Sequence, residues 1–334
     1  MFAARFDARW LLLLALVTLV TVLPALAEGD SEDFPVSAPP TRAAVDLSKL
    51  PPAFVTGDGH SISIQREWAS EQDPIEFENV PLGEQPFRFD QRQPLHVYTE
   101  PRAGKQPLYY FNDVRWTQED RPEGRKFGRR AYFTSAVVDL EKVKGAYFCM
   151  KPFAPKFLAG HAAVLLEFEP GGFRNLDGEE SEGFVISYEA YLRVTQQYEL
   201  IGGQFGRKFR IIYVVGTWRD FLIRSIRFGD SVVKRWKLDL TKDQLKTLAL
   251  EIGKVVLADH SAEHYNTTRA SCITAALRLL NVLLPERERS PERWLGGLIA
   301  NPGWALPVFA DNILRHHRLI TGDKETITAI PPAK

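Results

Sequence analysis

The chain has 334 residues, long enough for two domains or one large one, and 45% of them are hydrophobic, so a sizeable core can form. Its 42 basic and 42 acidic residues balance and are interspersed along the chain, which is the pattern of a solvated surface and gives no basic excess for nucleic acid. The thiol complement is two cysteines, Cys149 and Cys272.

Residues 1–27 read as a cleavable export signal. Arg5 and Arg9 charge its start, Leu11 to Leu23 is apolar, and Ala25-Leu26-Ala27 fits a small-residue cleavage site. The apolar run is short for a membrane span, and retention as an uncleaved anchor is the alternative. No cysteine follows the cleavage site, so there is no lipid-attachment motif. The expected location is the bacterial periplasm or outside the cell, with membrane association left open. Residues 28–52 are rich in Pro, Ser, Asp and Ala and read as a linker. Residues 53–150 form a β-rich region of short strands. Ser61–Ile64, Phe87–Phe89, Leu95–Tyr98, Ala131–Thr134 and Gly145–Cys149 have strand character. Turn signals at Gly57-Asp58-Gly59, Pro101 to Gly104 and Pro122 to Gly124 punctuate them.

Residues 151–285 change in character. Gly160 to Phe168 gives a strand that begins with His161 and is broken by Gly171-Gly172. Gly183–Ala190 and Arg210–Val215 follow as strands, Asp220 to Arg227 alternates apolar and basic, and Val232–Leu240 reads as a last strand. Thr241 and Gln244 spell a capping box before a helix whose apolar face is Leu245, Leu248, Ala249, Ile252 and Val256. A polar loop from Tyr265 to Thr268 then runs into Ser271-Cys272. Helical spacing resumes at Ile273, Ala276, Leu277, Leu280 and Leu284, and stops before Pro285. Residues 286–334 read as a charged connector, one or two amphipathic helices interrupted by Pro302-Gly303 and Pro307, and a polar, frayed end. Trp294, Leu295, Leu298, Ile299, Trp304 and Leu306 there fit either core packing or contact with a membrane surface.

Cys272 sits at the first turn of a helix, where unpaired backbone N–H groups and the positive dipole end favour a thiolate and can bind an oxyanion. His161 is the candidate base and acid for that thiol. Glu189, on the next strand, is the candidate to orient the imidazole, with Ser187 and Asp220 as alternatives. Each has a plainer reading: a small buried cysteine, a structural histidine, a surface carboxylate. Cys149 and Cys272 also fit a structural disulfide in an exported protein. His260-Ser261-Ala262-Glu263-His264 matches the inverted zincin motif, but the helix ends near Ala258 and the motif lacks the long helix it needs, so no metal and no cofactor are expected. Asn266-Thr267-Thr268 matches a glycosylation sequon, discounted for a bacterial export product. His316-His317 reads as a surface pair.

Several short motifs occur together in order: His161-Ala162 before a strand, Ile186-Ser187-Tyr188-Glu189, Ile212 to Val215 leading to Arg219-Asp220, and Tyr265-Asn266-Thr267 running up to Cys272. They resemble the periplasmic domain of bacterial lipoprotein N-acyltransferases, over about residues 130–285. The resemblance implies an α+β, permuted papain-like fold of the NlpC/P60 type, an antiparallel sheet with packed helices preceded by a β-rich region. It implies Cys272 as nucleophile and His161 as its base. Backbone N–H at Cys272, with Tyr265, Asn266 and Ser271 nearby, would serve oxyanion and substrate. The implied chemistry is acyl transfer through a thioester, from a lipid acyl donor to a lipoprotein or other amine acceptor, at the inner-membrane surface. Two positions depart from the family pattern: Ser271 stands where Asn often precedes the cysteine, and Trp218 where an acid often precedes the Arg-Asp pair. Cys149 lies outside the matching motifs, which favours a free Cys272. Two other readings stand beside this one: a cysteine peptidase or amidase cutting peptidoglycan peptides, and a non-catalytic envelope scaffold or binding module.

Overall fold

Among the described residues, twelve of the fourteen strands join one large sheet. The computed structural model describes residues 53–120, 128–153, 159–198, 209–260, 262–266, 270–286, 289 and 310–332. The export signal and linker at 1–52, and residues 290–309 with the aromatic cluster around Trp294 and Trp304, lie outside the described residues.

A hairpin of β1 (Ala53–Val55) and β2 (Ser61–Ser63) stands apart. The remaining strands are β3 (Arg66–Ser70), β4 (Leu95–Glu100), β5 (Leu108–Asp120), β6 (Arg129–Asp139), β7 (Val143–Phe153), β8 (Ala159–Phe168), β9 (Phe173–Asn175), β10 (Gly183–Tyr191), β11 (Phe209–Thr217), β12 (Val233–Lys237), β13 (His264–Tyr265) and β14 (Glu325–Ile327). They join in the order β14-β12-β7-β8-β10-β11-β5-β6-β3, with β13 on β11, β4 on β5 and β9 on β6. Pairing is antiparallel except where β11 meets β5, at Gly216↔Arg115. Four helices complete the described part: α1 (Trp218–Leu222), α2 (Lys242–Leu257), α3 (Cys272–Asn281) and α4 (Ala310–His316). The expected α+β class is what the structure has: a mostly antiparallel sheet with a few packed helices.

The two faces of the sheet carry different cores, because successive side chains alternate across a strand. On one face Ala162, Val164 and Leu166 of β8 and Ile186 and Tyr188 of β10 pack under α2 and α3, with Leu248, Ile252, Ile273, Leu277 and Leu280 buried against them. Each such side chain contributes roughly 1.5–3 kcal/mol. The opposite face carries a smaller cluster of Cys149, Ala163, Leu165, Val185 and Val233, capped by Phe221 and Leu222 of α1.

The helix ends follow from local chemistry. At α2 the Thr241 hydroxyl accepts from the Gln244 N–H at 3.3 Å while the Gln244 side chain accepts from the Thr241 N–H at 2.9 Å, the capping box read from the sequence. At α3 the Thr274 hydroxyl accepts from the Ser271 N–H at 2.7 Å.

Four expectations are corrected. Phe87–Phe89 is not a strand; Phe87 makes one isolated bridge to Arg193. Asp220 to Arg227 is helical: the Thr217 hydroxyl accepts from the Asp220 N–H at 3.0 Å and starts α1, which widens into a π-turn over Ile223–Arg227. The polar loop before Cys272 includes β13, paired with β11 through Phe209↔Tyr265. Within the polar C-terminal end, Glu325–Ile327 is ordered as β14 on β12.

Candidate active site

Cys272 is the first residue of α3 and is buried. Between β13 and α3, Asn266 and Ala270 exchange both backbone hydrogen bonds, at 3.0 and 2.9 Å. Helix α3 lies on the face of the sheet that carries Ala162. There the Cys272 thiol donates to the carbonyl of Gly160 on β8 at 3.8 Å. Strand β8 stays paired with β7 as far as Ala159, but its pairing with β10 ends at Ser187↔Ala163. The thiol therefore meets the strand where β10 has stopped covering it. A Cβ at Gly160 would crowd Met150 and the Lys151 carbonyl of β7, so glycine keeps these two strands close.

Burial dominates the thiol and pushes it up. The Ala162 N–H, the Tyr265 hydroxyl and the Ile273 N–H act against that push and do not overcome it. The expectation that a helix start lowers this thiol is thus corrected: at 6% exposure, desolvation outweighs the dipole and the donors. The Cys272 N–H donates to Tyr265 Oη at 3.4 Å, so Tyr265 touches the backbone of the candidate nucleophile. Ser271 is buried beside it.

His161 follows Gly160 on β8, and alternation turns its side chain to the face of Ala163 and Leu165, opposite the face on which α3 packs. The structure does not bring the imidazole into hydrogen-bond contact with Cys272 Sγ. It brings together a different group. Lys151 on β7 pairs directly with His161, and Glu189 lies two residues beyond Ser187 on β10, so Lys151, His161 and Glu189 form a polar row across three strands. His161 Nε2 is 3.8 Å from Glu189 Oε1, too far for a hydrogen bond, and that nitrogen is buried without a partner. Burial pushes His161 down to about 4, against the pull of Glu189 and with the help of Arg224 and Lys151. The ring is neutral at pH 7.

Glu189 is the best-held member of the row. Ser187 Oγ donates to Oε1 at 2.6 Å, Arg224 Nη1 donates to the same oxygen at 3.0 Å, and Gln91 Nε2 donates to Oε2 at 3.2 Å. Burial pushes this carboxyl up, but Arg224, His161 and Ser187 outweigh it and hold it well below the usual carboxylate range. Of the two alternatives to Glu189, Ser187 thus acts on Glu189 itself. Asp220, fully buried, binds Arg224 Nε at 3.0 Å and Arg115 Nε at 3.2 Å, and reaches His161 only through them. Sequence reasoning missed Arg224, Arg115, Lys151 and Gln91. For Arg224 a signal existed in the Asp220/Arg224 spacing of four, which puts the two on one face of a helix.

Cys149 and Cys272 are both free. Cys149 packs with Ala163 and Phe221, on the face away from α3, so the sheet lies between the two thiols. The inverted zincin motif has a structural use. His260 Nε2 lies 2.8 Å from the Val255 carbonyl and Nδ1 lies 2.6 Å from Glu263, so both ring nitrogens are engaged in closing the end of α2. An apolar cavity of about 260 Å³, lined by Tyr109, Leu140, Leu250, Leu257 and Val282, opens beside α2. Val282 caps the far end of α3, roughly 15 Å along the helix from Cys272. No helix among the described residues is long and apolar enough to cross a membrane.

No curated protein and no solved structure matches this chain. A match to a periplasmic domain family places the protein with the bacterial envelope. Residues 130–295, which span His161, Glu189, Arg224 and Cys272, match the family described as the Lnb N-terminal periplasmic domain, the family that the motifs in this stretch resemble.

Proposed function

We propose that the protein is a cysteine-dependent acyltransferase of the envelope, with Cys272 as nucleophile, His161 as its base and Glu189 as the group that orients the imidazole. The observation that carries this reading is the meeting of the α3 N-terminus with β8, where the Cys272 thiol rests on Gly160, the residue before His161. The unpartnered His161 Nε2 supports it, since a buried polar atom without a partner points to a use outside the resting fold. The order of a histidine strand followed by a cysteine helix also supports a permuted papain-like domain of the NlpC/P60 type.

The reaction requires His161 to be brought from its resting place on the opposite face of β8 to the thiol; the imidazole then takes the thiol proton and the sulfur attacks the acyl carbonyl of a lipid ester. A C–S bond forms, the ester C–O bond breaks, and the leaving alkoxide takes the proton back from His161. An amine, such as the N-terminus of a lipoprotein, then attacks the thioester, loses a proton to the imidazole and releases the thiol. The Cys272 N–H at the helix start, once released from Tyr265 Oη, is the donor for the oxyanion. Asn266 and Ser271 shape the approach.

The test is acyl-adduct formation. The mature protein is incubated with phospholipid and with a diacylglyceryl peptide, and intact mass is measured before and after hydroxylamine. A hydroxylamine-labile acyl group on Cys272 is expected, absent in Cys272→Ala and formed on the order of 10²–10⁴ times more slowly in His161→Gln. An unmodified wild-type protein that instead cleaves peptidoglycan stem peptides would move the assignment to a hydrolase. Neither activity would leave a binding or scaffold role.

A further inference from the structure

Two cations beside the candidate site, Lys151 and Arg129, form no ion pair among the described residues; Glu71 acts on Arg129 and Glu189 on Lys151 only from beyond ion-pair distance. Lys151 stands next to His161 in the polar row, and among the described residues its side chain donates only to the Arg224 carbonyl, at 3.4 Å. Its Nζ lies against Gly229, where a Cβ would collide with it. Arg129, at the start of β6, donates to the Phe228 carbonyl at 3.2 Å and lies over the Phe228 ring, 4.6 Å from its centroid. The two cations therefore flank one turn, Phe228–Gly229, at the exit of the π-turn. No carboxylate of the described residues lies within ion-pair distance of either. The other cations of this region are matched: Arg224 by Glu189 and Asp220, Arg115 by Asp220, Arg227 by Asp120. Burial holds Lys151 down to about 8, with Arg224 and Arg129 adding to the effect and Glu189 opposing it. A part-buried cation kept next to a second one is costly unless an anion arrives.

We propose that Lys151 and Arg129 bind the phosphate of a phosphate-bearing acyl donor, anchoring it beside the His161–Glu189 row. A lysine ammonium suits phosphate as a compact point charge, and Arg129 adds a planar donor. The inference rests on the acyltransferase reading for its substrate, and it narrows the donor to phosphoglyceride esters over uncharged glycerides. The leaving group would be the lyso-phospholipid, whose phosphate stays in the cradle while its ester oxygen departs.

The experiment uses the mature protein and separates the two claims. Binding of sn-glycerol 3-phosphate, of inorganic phosphate and of phosphatidylglycerol in mixed micelles is measured by calorimetry, on wild type, Lys151→Met and the Arg129→Met/Lys151→Met double variant. Saturable binding is expected for wild type, weakened about tenfold or more by Lys151→Met and abolished in the double variant, with the melting temperature unchanged or raised because an unmatched buried charge has gone. Tighter binding of the lipid than of glycerol phosphate identifies a headgroup site; equal binding identifies a site for the phosphate alone. Wild type that binds none of the three, or variants that bind as wild type does, would overturn the proposal. Cys272 acylation is followed in the same samples, with phosphatidylglycerol and with diacylglycerol. Lys151-dependent phosphate binding without any acyl-Cys272 would leave the anion site standing and remove the acyltransferase reading. Equal acylation from both donors would remove the donor preference.

Discussion

At the scale of single residues, the site is governed by desolvation. Both Cys272 and His161 are pushed towards their neutral forms, and only Glu189, supplied with donors from Arg224, Ser187 and Gln91, keeps its charge. This makes stability depend on pH in a definite direction. The His161 ring has a folded-state value of about 4 against the ordinary 6.5. Between those values the unfolded chain binds the proton and the folded chain does not, so stability is full above about pH 6.5 and falls as pH drops towards 4. Glu189 acts in the same direction lower down. Its carboxyl is held below the ordinary 4.5, so its contribution is present above that value and is lost on further acidification. The urea midpoint of the wild type should fall between pH 7 and pH 4.5 by an amount worth about 2–3 kcal/mol from His161 alone. His161→Gln, which has nothing to protonate, should show a much shallower fall over that window. Parallel curves for the two proteins would mean that the imidazole is charged in the folded state and that its burial has been misjudged.

At the scale of elements, the π-turn over Ile223–Arg227 is what connects the charged groups. It directs Arg224 so that its Nε meets Asp220 and its Nη1 meets Glu189, both at 3.0 Å. Replacing Arg224 with Met leaves Glu189 buried without its guanidinium, while Asp220 keeps Arg115. A loss of about 3 kcal/mol at pH 7 is expected from chemical denaturation, with Arg224→Lys recovering part of it, since an ammonium cannot serve both carboxylates in that geometry. An unchanged midpoint in Arg224→Met would show that Ser187 and Gln91 suffice. This element also marks the limit of the sequence. Helices α2 and α3 were legible because their apolar spacing is regular and Thr241 and Gln244 announce a start. Strands β8, β10 and β11 were legible as apolar runs between turn signals. The π-turn was not: Ile223/Ile226 and Arg224/Arg227 each recur after three residues, a helical spacing, but five residues are too few to establish a period, and the clearest start signal is the cap at Thr217. The 13-residue β5 was missed for a related reason. Its pairing with β6 shifts register between Phe111 and Val114 and again between Arg115 and Thr117, and Asp113 has a φ of 57°, so its alternation is reset twice within one strand. Cys272, His161 and Glu189 could be nominated from sequence, but not their distribution over the two faces of the sheet, which depends on the register of β8 against β7 and β10.

At the scale of the whole molecule, the site depends on strands far from it in sequence. Residues 53–150 supply β3 to β6 and most of β7 to the same sheet that carries His161 and Glu189, and Gln91 reaches Glu189 directly. The junction of β11 with β5 is a single parallel pair at Gly216↔Arg115. What reinforces it is Arg115, 2% exposed, which binds Asp220 of α1, Gln118 on its own strand and the Asp90 carbonyl. A Cβ at Gly216 would meet the Arg115 carbonyl, so the two backbones are as close as the sequence permits. Cutting the chain before β7 would strip β11 of its neighbour, expose Val214 and Ile212 beside an unpaired edge, and leave Asp220 without Arg115. Residues 142–334 expressed alone should therefore lack near-ultraviolet circular dichroism and a cooperative melt, although they contain Cys272, His161 and Glu189. The intact mature protein should unfold in one transition, and Arg115→Met should lower that transition without splitting it. A fragment that melts cooperatively, or an Arg115→Met protein with two resolved transitions, would show instead that the sheet is divided at Gly216↔Arg115 and that the candidate site is complete without the strands that precede it.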